Sequence, residues 1–205
     1  MIAIVDHGLG NLKSVAYALD RLGRTGVLTA DPERIASAEG VILPGVGAFG
    51  RAMAGLASGG LLEATRAAAG SGRPFLGICL GLQLLFDASE EHGRHEGLGV
   101  VHGRVVRFDR GLTVPHMGWN RVRQERPSPL FAGIPDGSWF YFAHSFHAAA
   151  DASVVVGTAD YGGPFVAAVG RGSLFATQFH PEKSGPVGLR MLENFCALCS
   201  GGAGR

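Results

Sequence analysis

The sequence has little of what marks several specialised classes of protein. Only three cysteines occur, at 79, 196 and 199, too few and too scattered for a secreted disulfide framework. Neither sign of charge dominates: eighteen basic residues stand against seventeen acidic ones, with no basic stripe of the kind that follows nucleic acid. No apolar run reaches the roughly 18 residues that cross a bilayer. Met1 to Asp6 lacks the basic start and the cleavage site of a signal peptide. The chain therefore reads as cytoplasmic, with neither nucleic acid nor membrane as partner. Glycine is plentiful, at 33 residues, but it is dispersed and sits mostly where elements should end, which excludes a fibrous or low-complexity chain.

What the sequence does have is core material. Hydrophobic residues make up 46% against 17% charged, enough for one sizeable core in a single domain over 1–200. Residues 201–205 read as a disordered tail, with fraying expected from Ser200 onward.

Short apolar runs alternate with helical spacing through the first half. Ile2 to Val5 reads as a buried strand. Leu12, Val15, Ala16, Leu19 and Leu22 recur at helical intervals, and Gly23 stops that helix. Gly40 to Leu43 is a second strand, ended by Pro44 and Gly45, and Pro74 to Ile78 a third that runs into a helix from Leu80. Strands this apolar, separated by helices, imply an α/β fold with a doubly wound, mostly parallel central sheet. From Leu98 the texture changes to strands with short turns, over 100–108, 113–122, 139–142, 154–158, 165–169 and 174–179, which predict an antiparallel extension. An amphipathic helix over Gly188 to Leu198 closes the chain.

The element Gly77-Ile78-Cys79-Leu80-Gly81 lies between an apolar strand and a helix. It has the layout of a nucleophile elbow, whose glycines let the backbone pass close to its neighbours. Such a turn exposes the sulfur above the carboxyl edge of the sheet, where open α/β sheets bind ligands. The reactive form is the thiolate, which a helix N-terminus and an imidazole partner both favour. A buried structural cysteine is the plainer alternative, yet it needs no such turn. His180 is the best candidate base, since Gln178-Phe179-His180-Pro181-Glu182 follows another apolar strand. Pro181 biases His180 toward extended backbone, which puts Glu182 on the same side as the ring. A carboxylate there fixes the tautomer and supports the imidazolium. Taken alone, the segment is equally well a surface turn.

Together, Gly77 to Gln83 and Phe179-His180-Pro181-Glu182 resemble the class I (triad) glutamine amidotransferases. The resemblance implies that Cys79, His180 and Glu182 hydrolyse glutamine to glutamate and ammonia through a thioester, with no cofactor and no metal. The oxyanion of that reaction needs backbone donors. Leu80 N–H is one, and the segment Pro44-Gly45-Val46-Gly47 is expected to supply the other from a mobile loop whose donor is aimed only when a ligand or partner binds. Gln83, Glu91, His144 and Ser145 are implied to line the glutamine pocket.

Within that family, Asp6 to Leu12, Leu43 to Phe49, Val114 to Asn120 and Gln178 to Ser184 are similar to the branch whose glutaminase subunits serve imidazole glycerol phosphate synthases in histidine biosynthesis. This implies a heterodimer with a (β/α)8 cyclase subunit, which consumes the ammonia in making imidazole glycerol phosphate and AICAR. Asn11, Pro115, Met117, Trp119, Asn120 and Lys183 are the implied interface residues. The branch usually has tyrosine where His7 and Phe146 stand. The glutaminase of another pathway, a cysteine peptidase and a chaperone-like module of similar fold are the competing readings. Gly8-Leu9-Gly10 lacks the third glycine of a dinucleotide fingerprint, Lys13 standing there. Cys196-Ala197-Leu198-Cys199 lies at a helix end with no second pair, so it reads as structural.

Overall fold

The computed structural model describes residues 1–109 and 111–201. The chain opens with β1 (Ile2–Val5), α1 (Leu12–Arg21), β2 (Gly26–Thr29), α2 (Pro32–Ser37) and β3 (Gly40–Gly45). Next come α3 (Phe49–Leu56), α4 (Leu61–Gly70), β4 (Phe75–Cys79) and α5 (Leu80–Leu84). Local chemistry explains the boundaries. Asn11 Oδ1 accepts from Ser14 N–H at the start of α1, and Asp31 caps α2 with Pro32 in its first turn.

The second half supplies β5 (Phe86–Ser89), β6 (His95–Glu96), β7 (Val101–Arg107), β8 (His116–Gln124), β9 (Ser138–His144) and β10 (Phe146–Ala150). It ends with β11 (Val155–Asp160), β12 (Pro164–Arg171), β13 (Leu174–Thr177) and α6 (Gly185–Gly201). One nine-stranded sheet has the order β2-β1-β3-β4-β13-β12-β11-β8-β9. Its β2-to-β13 part is parallel, and from β12 onward each neighbour is antiparallel. A central parallel sheet with an antiparallel extension is as expected, but β13, expected within the extension, pairs parallel with β4 and belongs to the central part.

Period-two alternation divides the core. Ile2, Ile4, Ile42, Leu76 and Ile78 face α1 and α6, burying Leu19, Leu192 and Phe195 among them. Ala3, Val5, Val41, Leu43 and Phe75 face the other way, against α2, α3 and α4. A four-stranded sheet, β10-β7-β5-β6, joins that second face. It was not expected: strands 100–108 and 139–179 do not form one extension, because β7 leaves the main sheet to pair with β5 and β10.

Two boundaries differ from the sequence reading. β3 does not stop at Leu43 but takes in Pro44 and Gly45 as its last two residues, opposite Ile78 and Cys79 in register. Ser200 and Gly201 are not frayed but complete α6, while 202–205 lie outside the described residues. The consequence for function is placement. Cys79 ends β4, Gly45 ends β3, and the turn holding His180 follows β13, so three adjacent parallel strands deliver their carboxyl ends to one edge.

Candidate active site

Cys79 sits at the strand-to-helix junction with φ 55° and ψ −107°, a conformation that non-glycine residues rarely adopt and that other contacts must hold in place. The glycines around it explain how. A Cβ on Gly81 would lie 1.7 Å from the Leu43 carbonyl oxygen, and one on Gly77 would lie 2.8 Å from that of Gly81. Only hydrogens fit at both positions, so β3, β4 and α5 close tightly around the sulfur. α5 is five residues long, which makes its N-terminal field weaker than a longer helix would give. The imidazole and nearby amides carry more of the electrostatics.

His180 and Glu182 are side by side. His180 Nδ1 lies 2.8 Å from Glu182 Oε1, both side chains being 3% exposed. The carboxylate accepts, so Nδ1 carries the hydrogen and Nε2 is left for Cys79. Glu182 does not arrive by extended alternation, as expected, but on a 3-10 turn over Pro181–Lys183. Lys183 N–H and Ser184 Oγ–H both donate to the His180 carbonyl, at 3.0 and 2.6 Å, and lock that turn. Burial opposes a charge on His180, but the Cys79 sulfur and then the Glu182 carboxylate outweigh it, and the ring is pushed up to about 10. Glu182 Oε2 is buried without a partner. An adjacent imidazolium is what makes a carboxylate tolerable there.

Cys79 opens into a cavity of about 290 Å³, lined by Val46, Gly47, Leu80, Gln83, Glu91 and the 143–146 segment, with Pro115 at its wall. Every expected pocket residue is there: Gln83, Glu91, His144 and Ser145. Several are already engaged within the chain. Glu91 Oε2 accepts from Phe49 N–H at 2.6 Å. Gln83 Nε2 donates to Phe146 O at 2.9 Å and Gln178 Oε1 at 3.0 Å. Among the described residues, no group of three His, Cys, Asp or Glu is placed to hold a metal ion.

The sequence model described as "Glutamine amidotransferase class-I" matches residues 3–199. The chain belongs to the class-I glutamine amidotransferase family. Two similar relatives both bear the name imidazole glycerol phosphate synthase subunit HisH. That of Moorella thermoacetica is 55% identical over 96% of this chain and 94% of its own. That of Desulfitobacterium hafniense is 52% identical over 95% and 93%. Among solved structures, one titled glutamine amidotransferase aligns with TM-score 0.76 over 97% of this chain and 98% of that one, at 20% identity. The glutaminase domain of Trypanosoma brucei CTPS aligns with TM-score 0.67 at 18% identity, over 98% and 93%. These two share the fold.

This amidotransferase presents its expected interface residues unequally. Met117 and Trp119 are 64% and 52% exposed on the outer side of β8. Tyr141 pairs with Trp119 across the ladder, and Lys183 Nζ lies 6.0 Å from the Tyr141 ring centre. Asn11 is exposed at the start of α1, which packs beside the 181–183 turn. Asn120 points the other way, its amide satisfied inside the chain.

Sequence reasoning passed over three residues of this site. Gln178 is fully buried with Nε2 3.7 Å from Cys79 Sγ. Tyr141 O accepts from His180 N–H at 2.9 Å, and Ser184 Oγ accepts from Tyr141 N–H at 3.0 Å. Gln178 and Ser184 both lie within the 178–184 segment and were legible there, whereas Tyr141 acts through its backbone groups, which no spacing rule reveals. His7, where the branch usually has tyrosine, is buried and its Nε2 donates to Pro44 O at 2.9 Å.

Proposed function

We propose that this amidotransferase is the glutaminase subunit of an imidazole glycerol phosphate synthase, a single catalytic domain working in the cytoplasm. Cys79 sulfur, deprotonated by His180, attacks the side-chain amide carbon of glutamine. The negative oxygen that forms is held by Leu80 N–H and by an N–H of the 45–47 segment. Gly47 supports the second donor: it lines the cavity beside Cys79, its φ is +97° and a Cβ there would meet nothing within 4 Å, so open space surrounds it. Collapse breaks the C–N bond while His180 passes its proton to the nitrogen, releasing ammonia and leaving a thioester. His180 then takes a proton from water, whose oxygen displaces the sulfur and yields glutamate. Ammonia leaves toward a cyclase subunit docked on the Met117 and Trp119 face.

The observation that carries this reading is the buried His180–Glu182 pair set against Cys79 at its cavity, joined to relatives, matched over 93% and 94% of their own length, that are named as subunits of that synthase. A glutamine-analogue electrophile tests it. One equivalent should be found on Cys79 by peptide mass spectrometry, and none on Cys196 or Cys199. Labelling spread over the three cysteines, or absent from Cys79, sinks the reading.

A further inference from the structure

A continuous set of directed hydrogen bonds joins the cavity to strand β8. His144 Nδ1 lies 2.8 Å from the Phe146 carbonyl oxygen, which only accepts, so Nδ1 carries the proton. His144 Nε2 is therefore an acceptor, and His116 Nδ1, 3.0 Å away, donates to it. That leaves His116 Nε2 bare, and Asn120 Nδ2 donates to it at 3.2 Å. The other hydrogen of Asn120 Nδ2 goes to Asp160 O at 2.8 Å, while Asn120 Oδ1 accepts from Arg121 N–H at 2.7 Å. For neutral rings, only one assignment of protons satisfies all five contacts. Burial keeps them neutral, pushing His144 down to about 3 and lowering His116 as well. On the cavity side, Phe146 O is the same oxygen that receives Gln83 Nε2, and Gln83 leads through Gln178 to Cys79.

His116 has no freedom to do otherwise. Its ring stacks on Tyr161 at 4.3 Å and packs against Phe142 and Phe165 at 5.1 and 5.6 Å. His116 and Asn120 lie on the inner side of β8, back to back with exposed Met117 and Trp119. We propose that His116, braced by Asn120, is a positioning residue for glutamine hydrolysis: it fixes the ring and tautomer of His144 and so ties the glutamine pocket to the docking strand. The proposal rests on the glutaminase reading, since glutamine is what the pocket receives.

Two measurements test it. In ¹⁵N-labelled full-length protein, NMR should show His116 and His144 as neutral Nδ1–H imidazoles from pH 5.5 to 8; an Nε2–H tautomer at either ring overturns the relay. In steady-state assays with the cyclase, His116→Leu should raise KM for glutamine about tenfold, the effect of one lost buried hydrogen bond with its partner left unpaired. kcat per Cys79 labelled by the electrophile should stay within about threefold, whereas a residue that only supports folding would lower the labelled fraction and leave KM alone. His116→Gln, whose amide keeps one donor and one acceptor, should recover KM to within about threefold of wild type. Unchanged KM in His116→Leu, or no recovery in His116→Gln, contradicts the proposal. If His116→Leu does not fold, Asn120→Leu at its half-buried site is read instead, a raised KM supporting the relay and an unchanged one opposing it. Wild-type protein that releases no glutamate with its cyclase defeats the glutaminase reading, while the tautomers still decide the relay.

Discussion

His180 faces opposite demands on its two ring nitrogens, a carboxylate on one side and the nucleophilic sulfur on the other. Glu182→Gln keeps an acceptor for Nδ1–H but removes the charge, so glutamate release should fall about hundredfold or more. With the Cys79 sulfur as the larger influence, the same charge contributes to a signature in stability. His180 is raised from 6.5 to about 10, so the folded chain holds a proton that the unfolded chain gives up. The stabilisation is fully present below about pH 6.5 and is lost as pH rises through about 10. Denaturant titrations of wild type and Glu182→Gln should therefore differ most near and below about pH 6.5, with the gap narrowing as pH rises toward about 10; a gap that widens with pH contradicts the ion pair. Burial also raises Cys199, up to about 12, which keeps that thiol neutral, so it should be inert to electrophiles that label Cys79.

The strand-to-helix turn is the element that makes the nucleophile. Gly81→Ala drives a methyl group into the Leu43 carbonyl, and a clash with backbone leaves no side chain to move aside. Loss of about 3 kcal/mol or more is expected, read as a lower urea midpoint. An unchanged midpoint would show that the turn is looser than its geometry implies. This turn was legible in the sequence because close approach has a residue-level mark: nothing but glycine fits. The parallel strands β1, β3 and β4 were legible for a similar reason, each being apolar on both faces, whereas the edge strand β2, with Leu28 exposed, went unread and β13 was taken for part of the antiparallel extension. The second sheet was not. β6 has two residues, and β10 is largely alanine, so neither carries the β-branched, alternating pattern that marks a strand. The route of Glu182 to His180 was also misjudged, since Pro181 fits the first position of a 3-10 turn as well as an extended segment.

For the molecule as a whole, the parallel sheet gathers the triad at one edge and the antiparallel extension places an apolar surface beside it. Met117 and Trp119 stand out from β8, with Tyr141 reaching back toward His180 at 6.5 Å between rings. Large exposed side chains next to a mouth of this kind are typical interface anchors. Trp119→Ala should weaken association with the cyclase about tenfold or more by titration calorimetry, without lowering thermal stability. Equal affinity would move the docking face elsewhere. The sequence named Asn120 as part of that face because motif membership does not report which side of a strand a residue occupies. Alternation along β8 does, once the register is known.

The most direct test of the triad is glutamate release from glutamine by the purified chain together with its cyclase and the nucleotide substrate, measured beside Cys79→Ala. Wild-type turnover with a loss of at least about a thousandfold in Cys79→Ala is the predicted result. Equal release by the two proteins contradicts it.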